Sequence, residues 1–216
     1  MKNVTKLFIL WSLSVLGGCA SGTHVIAMTP TGEIGKDFKN VAKGKVHLYP
    51  VTQGNANVKT KDGRTNLEQT WTPASRAESS YTTTADLPAI IAERSKQALQ
   101  EAGYTVTYGP EAPADAMLSL RENILAVYEN PSTPVLANMA TVFFFGFVGT
   151  SSHPVGDIYV KATYEDAKGD KESTVIRGYG KSSAHLTVQS GYDRSMAFAL
   201  TDFQQNLTKA TRKQLQ

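Results

Sequence analysis

The stretch VGDIYVKATYEDAKGDKESTVIRGYGKSS, residues 155–183, carries the clearest two-residue period in the chain. Within it Ile158, Val160, Ala162 and Tyr164 alternate with Tyr159, Lys161, Thr163 and Glu165, as in a strand with one buried and one wetted face. The turn KGDK around Gly169 then leads back through Val175, Arg177 and Tyr179. A long antiparallel hairpin is expected, and its apolar side needs a cover.

Two helices can supply that cover. On the C-terminal side, Met196, Leu200, Phe203, Leu207 and Ala210 recur at steps of four and three, one apolar stripe of a helix over 192–215. On the N-terminal side, ADLPAIIAERSKQALQEAG (85–103) has Asp86 or Thr84 as N-cap, Pro88 in the first turn and Gly103 past the end. Leu87, Ile90, Ile91, Ala98, Leu99 and Ala102 share its face, with Arg94 the exception. Further strands are expected in GKVHLYPV (44–51), YTVTY (104–108) and 116–128, while the polar 52–84 suggests a long loop or loose hairpin pinned by Trp71. The order β-α-β-β-β-β-α predicts an α+β fold: a mixed, mainly antiparallel sheet with two helices packed on one face.

The phrases LPAIIAERSKQALQEAGYTV, GDIYVKATYEDAKGDK, VIRGYGKSS and AFALTDFQQNLTKAT, in that order over roughly 44–215, resemble the YajG-like family of Gram-negative envelope lipoproteins. That resemblance implies an outer-membrane-anchored periplasmic domain and brings no catalytic residues with it.

The residues themselves point to the same compartment. The chain opens with Lys2 and Lys6, runs through the apolar LFILWSLSVL (7–16) and reaches Gly17, Gly18 and the single cysteine, Cys19. A positive start, an apolar run too short to span a bilayer and small residues before a cleavage point form an export signal. Leu16 to Cys19 match the bacterial lipobox, in which the thiolate takes a diacylglyceryl group and cleavage leaves the cysteine first. Residues 1–18 are thus expected to be a lipoprotein signal peptide, and diacylglycerol plus an N-acyl chain on Cys19 the only attached groups. Such acylation anchors firmly, at about 0.8 kcal/mol per buried CH₂. Ala20 and Ser21 follow, with no aspartate after the cysteine, which favours the outer membrane on its periplasmic side.

Residues 19–43, rich in Gly, Thr and Pro, are expected to be a flexible tether reaching roughly 25–30 Å; a short strand over 23–28 is the competing reading. The remaining 44–216 are expected to make one domain, consistent with 41% hydrophobic and 19% charged residues in 216. Removing 1–18 takes away two lysines and no acid, so a net charge of +3 falls to +1. With no basic stripe interleaved with aromatics, nucleic acid is not an expected partner.

Candidate chemistry is sparse. GYGKSS (178–183) evokes a phosphate loop, but Val175 stands where that pattern needs glycine and no helix signal follows; strand glycines under a crossing side chain fit better. His24, His47, His153 and His185 are scattered without metal-ligand spacing, and no serine sits in a nucleophile elbow. No enzyme and no metal site are expected.

One insertion breaks the pattern. NPSTPVLANMATVFFFGFVGTSSHPVG (130–156) is apolar almost all round and too short to cross a bilayer. It can complete the core, dock a partner or a second copy, or dip into the leaflet and cradle an acyl chain. Leu136, Met139, Phe143, Phe144 and Phe147 are its candidate contact residues. The expected function is therefore a non-enzymatic binding or scaffold module for another envelope component, through an envelope protein or self-association. The alternative is a lipoprotein that holds a lipid or other hydrophobic small molecule.

Overall fold

A computed structural model describes residues 23–28, 44–54, 62, 64–67, 80–130, 154–182 and 188–216. In chain order the elements are β1 (Thr23–Val25), β2 (Lys45–Leu48), β3 (Thr52–Gln53), β4 (Thr65–Asn66), β5 (Ser80–Thr83), α1 (Leu87–Glu101), β6 (Thr105–Tyr108), β7 (Leu118–Asn130), β8 (Val155–Asp166), β9 (Lys171–Lys181) and α2 (Val188–Gln214). The main sheet has the order β6-β2-β7-β8-β9, with β3 added against β7. Strand β2 runs parallel to both β6 and β7, while β7, β8 and β9 are antiparallel. This is the expected α+β architecture.

The hairpin follows its alternation. Val155 pairs with Lys181 and Glu165 with Lys171. At the turn, Asp166 Oδ1 accepts from the N–H groups of Lys168 (2.8 Å) and Asp170 (2.9 Å), closing the loop without help from the body. Gly156, Gly178 and Gly180 are the sites of closest approach. A Cβ on Gly156 would lie 3.0 Å from the Met196 backbone, and one on Gly178 would lie 2.6 Å from Phe203 Cβ and against the Ala199 carbonyl. The expected crossing therefore exists, made by the backbone of α2. With Met196, Leu200, Phe203 and Leu207 all fully buried, α2 lies in this glycine trough along its apolar stripe.

Helix α1 has the punctuation its sequence carries. Asp86 Oδ1 accepts from Ala89 N–H at 3.2 Å, and Gly103, at φ 92°, takes the left-handed turn that lets Tyr104 N–H reach Leu99 O. Leu87, Ile91, Ala98 and Leu99 are buried, and Gln204 Nε2 of α2 donates to Arg94 O at 3.1 Å, so both helices occupy one face. The far edge of the sheet is closed as well. Asp202 accepts the Tyr179 N–H (2.9 Å) and Asn206 donates to Arg177 O (2.9 Å).

Three expectations change. The helix over 192–215 begins earlier, at Val188. Of the loop and loose hairpin expected over 52–84, the hairpin is present, β4 pairing antiparallel with β5, and it is extended beyond expectation by the parallel pairing of β5 with β1 into a second, three-stranded sheet. Residues 23–28 are accordingly not leash. Ile26 and Met28 are buried, Ile26 N–H donates to Thr82 O (2.7 Å), and Thr83 Oγ1 donates to Ile26 O (3.0 Å). The competing strand is the one the chain adopts, because two apolar side chains separated by one residue find a buried face to enter. The expected contact of Trp71 lies outside the described residues.

Candidate binding face

Strands β7, β8 and β9 show one face to the helices and the other to solvent. On the open face the register sets Tyr128 opposite Asp157, Asp157 opposite Tyr179, and Tyr159 opposite Arg177. Arg177 grips Asp157 with two bonds, Nε to Oδ1 and Nη2 to Oδ2, each 2.6 Å. Its guanidinium stands 4.9 Å from the Tyr179 ring centre and 5.6 Å from that of Tyr159, and Tyr128 meets Tyr159 edge-on at 5.8 Å. The carboxylate beside it raises the Arg177 pKa above its ordinary value, so the cation is permanent. Tyr179 is 41% exposed and neighbouring Val175 54%. Nearer β2, Arg121 lies 3.4 Å over the Tyr49 ring, with His47 edge-on to Tyr49 at 4.8 Å. Rigid tyrosines around a pre-oriented arginine are the residue types that carry most binding energy at protein contacts.

The helix-facing side of β7 holds two fully sealed carboxyl groups. Glu122 Oε1 accepts from Ser95 Oγ of α1 at 2.8 Å, and Glu129 Oε1 accepts from Ser195 Oγ of α2 at 2.9 Å. Among the described residues the second oxygen of each has no hydrogen-bond partner. Burial raises Glu122 to about 7 and Glu129 to about 9, each serine bond working against the rise. Shifts of this size mark catalytic acids when a substrate can reach them. Here both residues are at most 2% exposed and lie beneath a helix, so the geometry is that of core groups closed to substrate.

Other sites have the same character. His47 is buried, its Nε2 bonded to Gly109 O (3.1 Å) and its Nδ1 to Thr107 Oγ1 (2.9 Å); a carbonyl requires N–H at Nε2, which leaves Nδ1 to accept. GYGKSS has Gly178 to Lys181 inside β9, so no phosphate loop forms. Two cavities, of about 200 Å³ beside Leu118, Tyr164 and Gln214 and about 250 Å³ between Ala89, Ala92 and Tyr108, involve neither glutamate. Among the described residues no three His, Cys, Asp or Glu side chains gather to hold a metal ion. Among them, too, no helix is long and apolar enough to cross a membrane.

Cys19 and the contact residues Leu136, Met139, Phe143, Phe144 and Phe147 lie outside the described residues. The structure does bring the ends of their segment together, Asn130 opposite Val155. Tyr128, Tyr159 and Tyr179 were not singled out as contacts by the sequence. Their signal was nonetheless present, since the wetted set of the hairpin mixes tyrosine and arginine where charge alone would serve solubility.

No family model and no curated protein matches the chain. Solved structures do. A Xanthomonas campestris protein of the DUF330 family is 13% identical over 90% of this chain and 99% of that one, with a TM-score of 0.48. A neuraminyllactose-binding hemagglutinin homolog from Helicobacter pylori is 13% identical over 88% and 95%, TM-score 0.45. A minor lipoprotein from Acinetobacter baumannii is 12% identical over 81% and 96%, TM-score 0.42.

Proposed function

We propose that the chain is a lipid-anchored, non-enzymatic binding module of the Gram-negative envelope. Acyl groups on Cys19 fix it to the outer membrane on the periplasmic side, and the body offers a contact face to another envelope protein. The lipobox ending at Cys19 and the resemblance to YajG-like lipoproteins support that placement.

The observation that carries the binding role is the Tyr128, Tyr159, Arg177 and Tyr179 cluster on the side of the sheet that no helix among the described residues covers. Folding needs no aromatic there, because the core lies on the opposite face. The apolar residues Leu136, Met139, Phe143, Phe144 and Phe147 belong to the same proposal: their segment leaves the sheet at Asn130, two residues beyond Tyr128.

The test places a photo-reactive phenylalanine analogue at Tyr179, at Phe143 and, as control, at Lys168 in cells of the source bacterium. A discrete adduct at 179 that disappears with Arg177→Ala is the expected result. Adducts at neither 179 nor 143 would end the proposal.

A further inference from the structure

The segments that lead toward Cys19 and into the apolar insertion leave the body at the same end. Strand β1 begins at Thr23, four residues after Cys19. It is fastened to the first turns of α2: Gln189 Nε2 donates to Val25 O (2.7 Å), and Ala27 N–H donates to Asp193 Oδ1 (2.8 Å). As the chain advances from Val25, the last residue of β1, to Ala27, its partners advance from Gln189 to Asp193. The strand thus runs alongside α2 in the same direction, and its beginning points out past the start of that helix.

Strands β7 and β8 meet the same end. Glu129, next to last in β7, bonds Ser195; Gly156, second in β8, lies under Met196; and Ser182 N–H donates to Pro154 O at 3.0 Å. Asn130 and Val155 are thus level with the first turns of α2. The intervening sequence, with Phe143, Phe144 and Phe145, departs and returns there.

We infer that the end of the domain marked by Val25, Lys181 and Ser190 lies against the phospholipid surface, with β8 and β9 standing away from it. The inference rests on the reading of Cys19 as the acylated residue. Four residues reach at most about 14 Å when fully extended, half the length of the tether the sequence suggested, so the body cannot swing clear of the headgroups. Val25, 36% exposed, and the exposed Lys181 are then placed where an apolar side chain and a cation both find partners. Strand β8, 12 residues long, carries the turn at Gly169 about 40 Å from that end.

The full chain, purified from membranes in detergent, is first checked by mass spectrometry for acyl groups on Cys19. Their absence removes the anchor and the proposed placement together, whatever the orientation. With Cys19 acylated, an introduced cysteine is the only free thiol. Ser190→Cys, Lys181→Cys and Lys168→Cys are labelled with a fluorophore and reconstituted into phosphatidylethanolamine–phosphatidylglycerol vesicles containing headgroup spin-labelled lipid. Loss of most of the fluorescence at 190 and 181, with none at 168, is expected. Inserting a flexible linker of about 20 residues after Ala20 should restore it. Equal quenching at the three positions, or stronger quenching at 168, in the acylated protein would overturn the orientation and leave the anchor intact. Two reporters at the near end keep the test readable if one variant folds poorly.

Discussion

Alternate residues of the same strands build both faces of the β7–β8–β9 sheet, and the two faces follow different rules. Beneath α2 stand Gly156, Gly178 and Gly180, chosen for having no side chain, with Ile158, Val160 and Ala162 fully buried. One residue away in each case stand Asp157, Tyr159, Arg177 and Tyr179, large groups that touch one another and solvent. The helix face is constrained by volume and the open face by chemistry. Substitutions should therefore separate stability from binding cleanly, according to the face they touch.

The largest effect is expected from Gly178→Val. Its Cβ would press on the Ala199 carbonyl and Phe203, and neither backbone can yield without lifting α2 from the trough. Overpacking of this kind costs about 1–3 kcal/mol where side chains can adjust. Against a helix backbone the loss should exceed that, leaving little folded protein in circular dichroism melts. Val175→Thr, on the open face, is the control and should leave the melt close to that of the parent.

Next comes the buried carboxyl of Glu129. An unfolded glutamate releases its proton near 4.5, whereas Glu129 keeps it to about 9. Between those values the folded chain binds more protons than the unfolded one, so stability falls as pH rises across that window and levels off above it. Glu129→Gln removes the titration. It should raise the melting temperature at pH 9, by an amount worth a few kcal/mol, and change it little at pH 4. Equal effects at both pH values would show that Glu129 is ionised in the fold. Ser195→Ala should cost about 1–2 kcal/mol at neutral pH by removing the hydroxyl donor from Glu129. Because that donor holds the Glu129 pKa down, its loss should also extend the fall to higher pH.

How much of this was written in the sequence depends on how many roles a residue carries. The hairpin and both helices were legible because each of their apolar residues serves one face, over two or more full periods. The second sheet was not: β4 has 2 residues and β5 has 4, all four hydroxylated, too short for any period to repeat. Glu122 and Glu129 are a different case. Seven residues apart, they fall on opposite faces under strict alternation, but the register shifts between Ile124 and Ala126. That bulge at Leu125 turns Glu129 inward beneath Ser195. A carboxylate buried by a bulge has no sequence signature, since the same letters on an unbroken strand would face water. Of the candidate site, Cys19 rests on its sequence neighbours alone, and the tyrosines acquire meaning only once the register sets them side by side.

The smallest stability effect is expected where the binding effect should be largest. Arg177 is about half exposed and Asp157 only 13%, so this pair stands at the upper end of the about 0–1 kcal/mol that surface ion pairs contribute, still well below the core effects above. Arg177→Ala should thus barely move the unfolding midpoint. It should, however, free the Asp157 carboxylate, remove the cation between Tyr159 and Tyr179 and leave both rings without their spacer. Tyr159→Ala should behave alike on stability. If the open face is a contact surface, both variants lose the adduct formed from position 179 while melting as the parent does. If the aromatic cluster instead serves to stiffen the sheet, the order reverses: the melting temperature drops, Arg177→Lys restores much of it by keeping the charge, and the adduct, if any, persists. A lysine lacks the planar fork that holds Asp157 by two bonds, so rescue of stability without rescue of the adduct would assign the arginine to recognition.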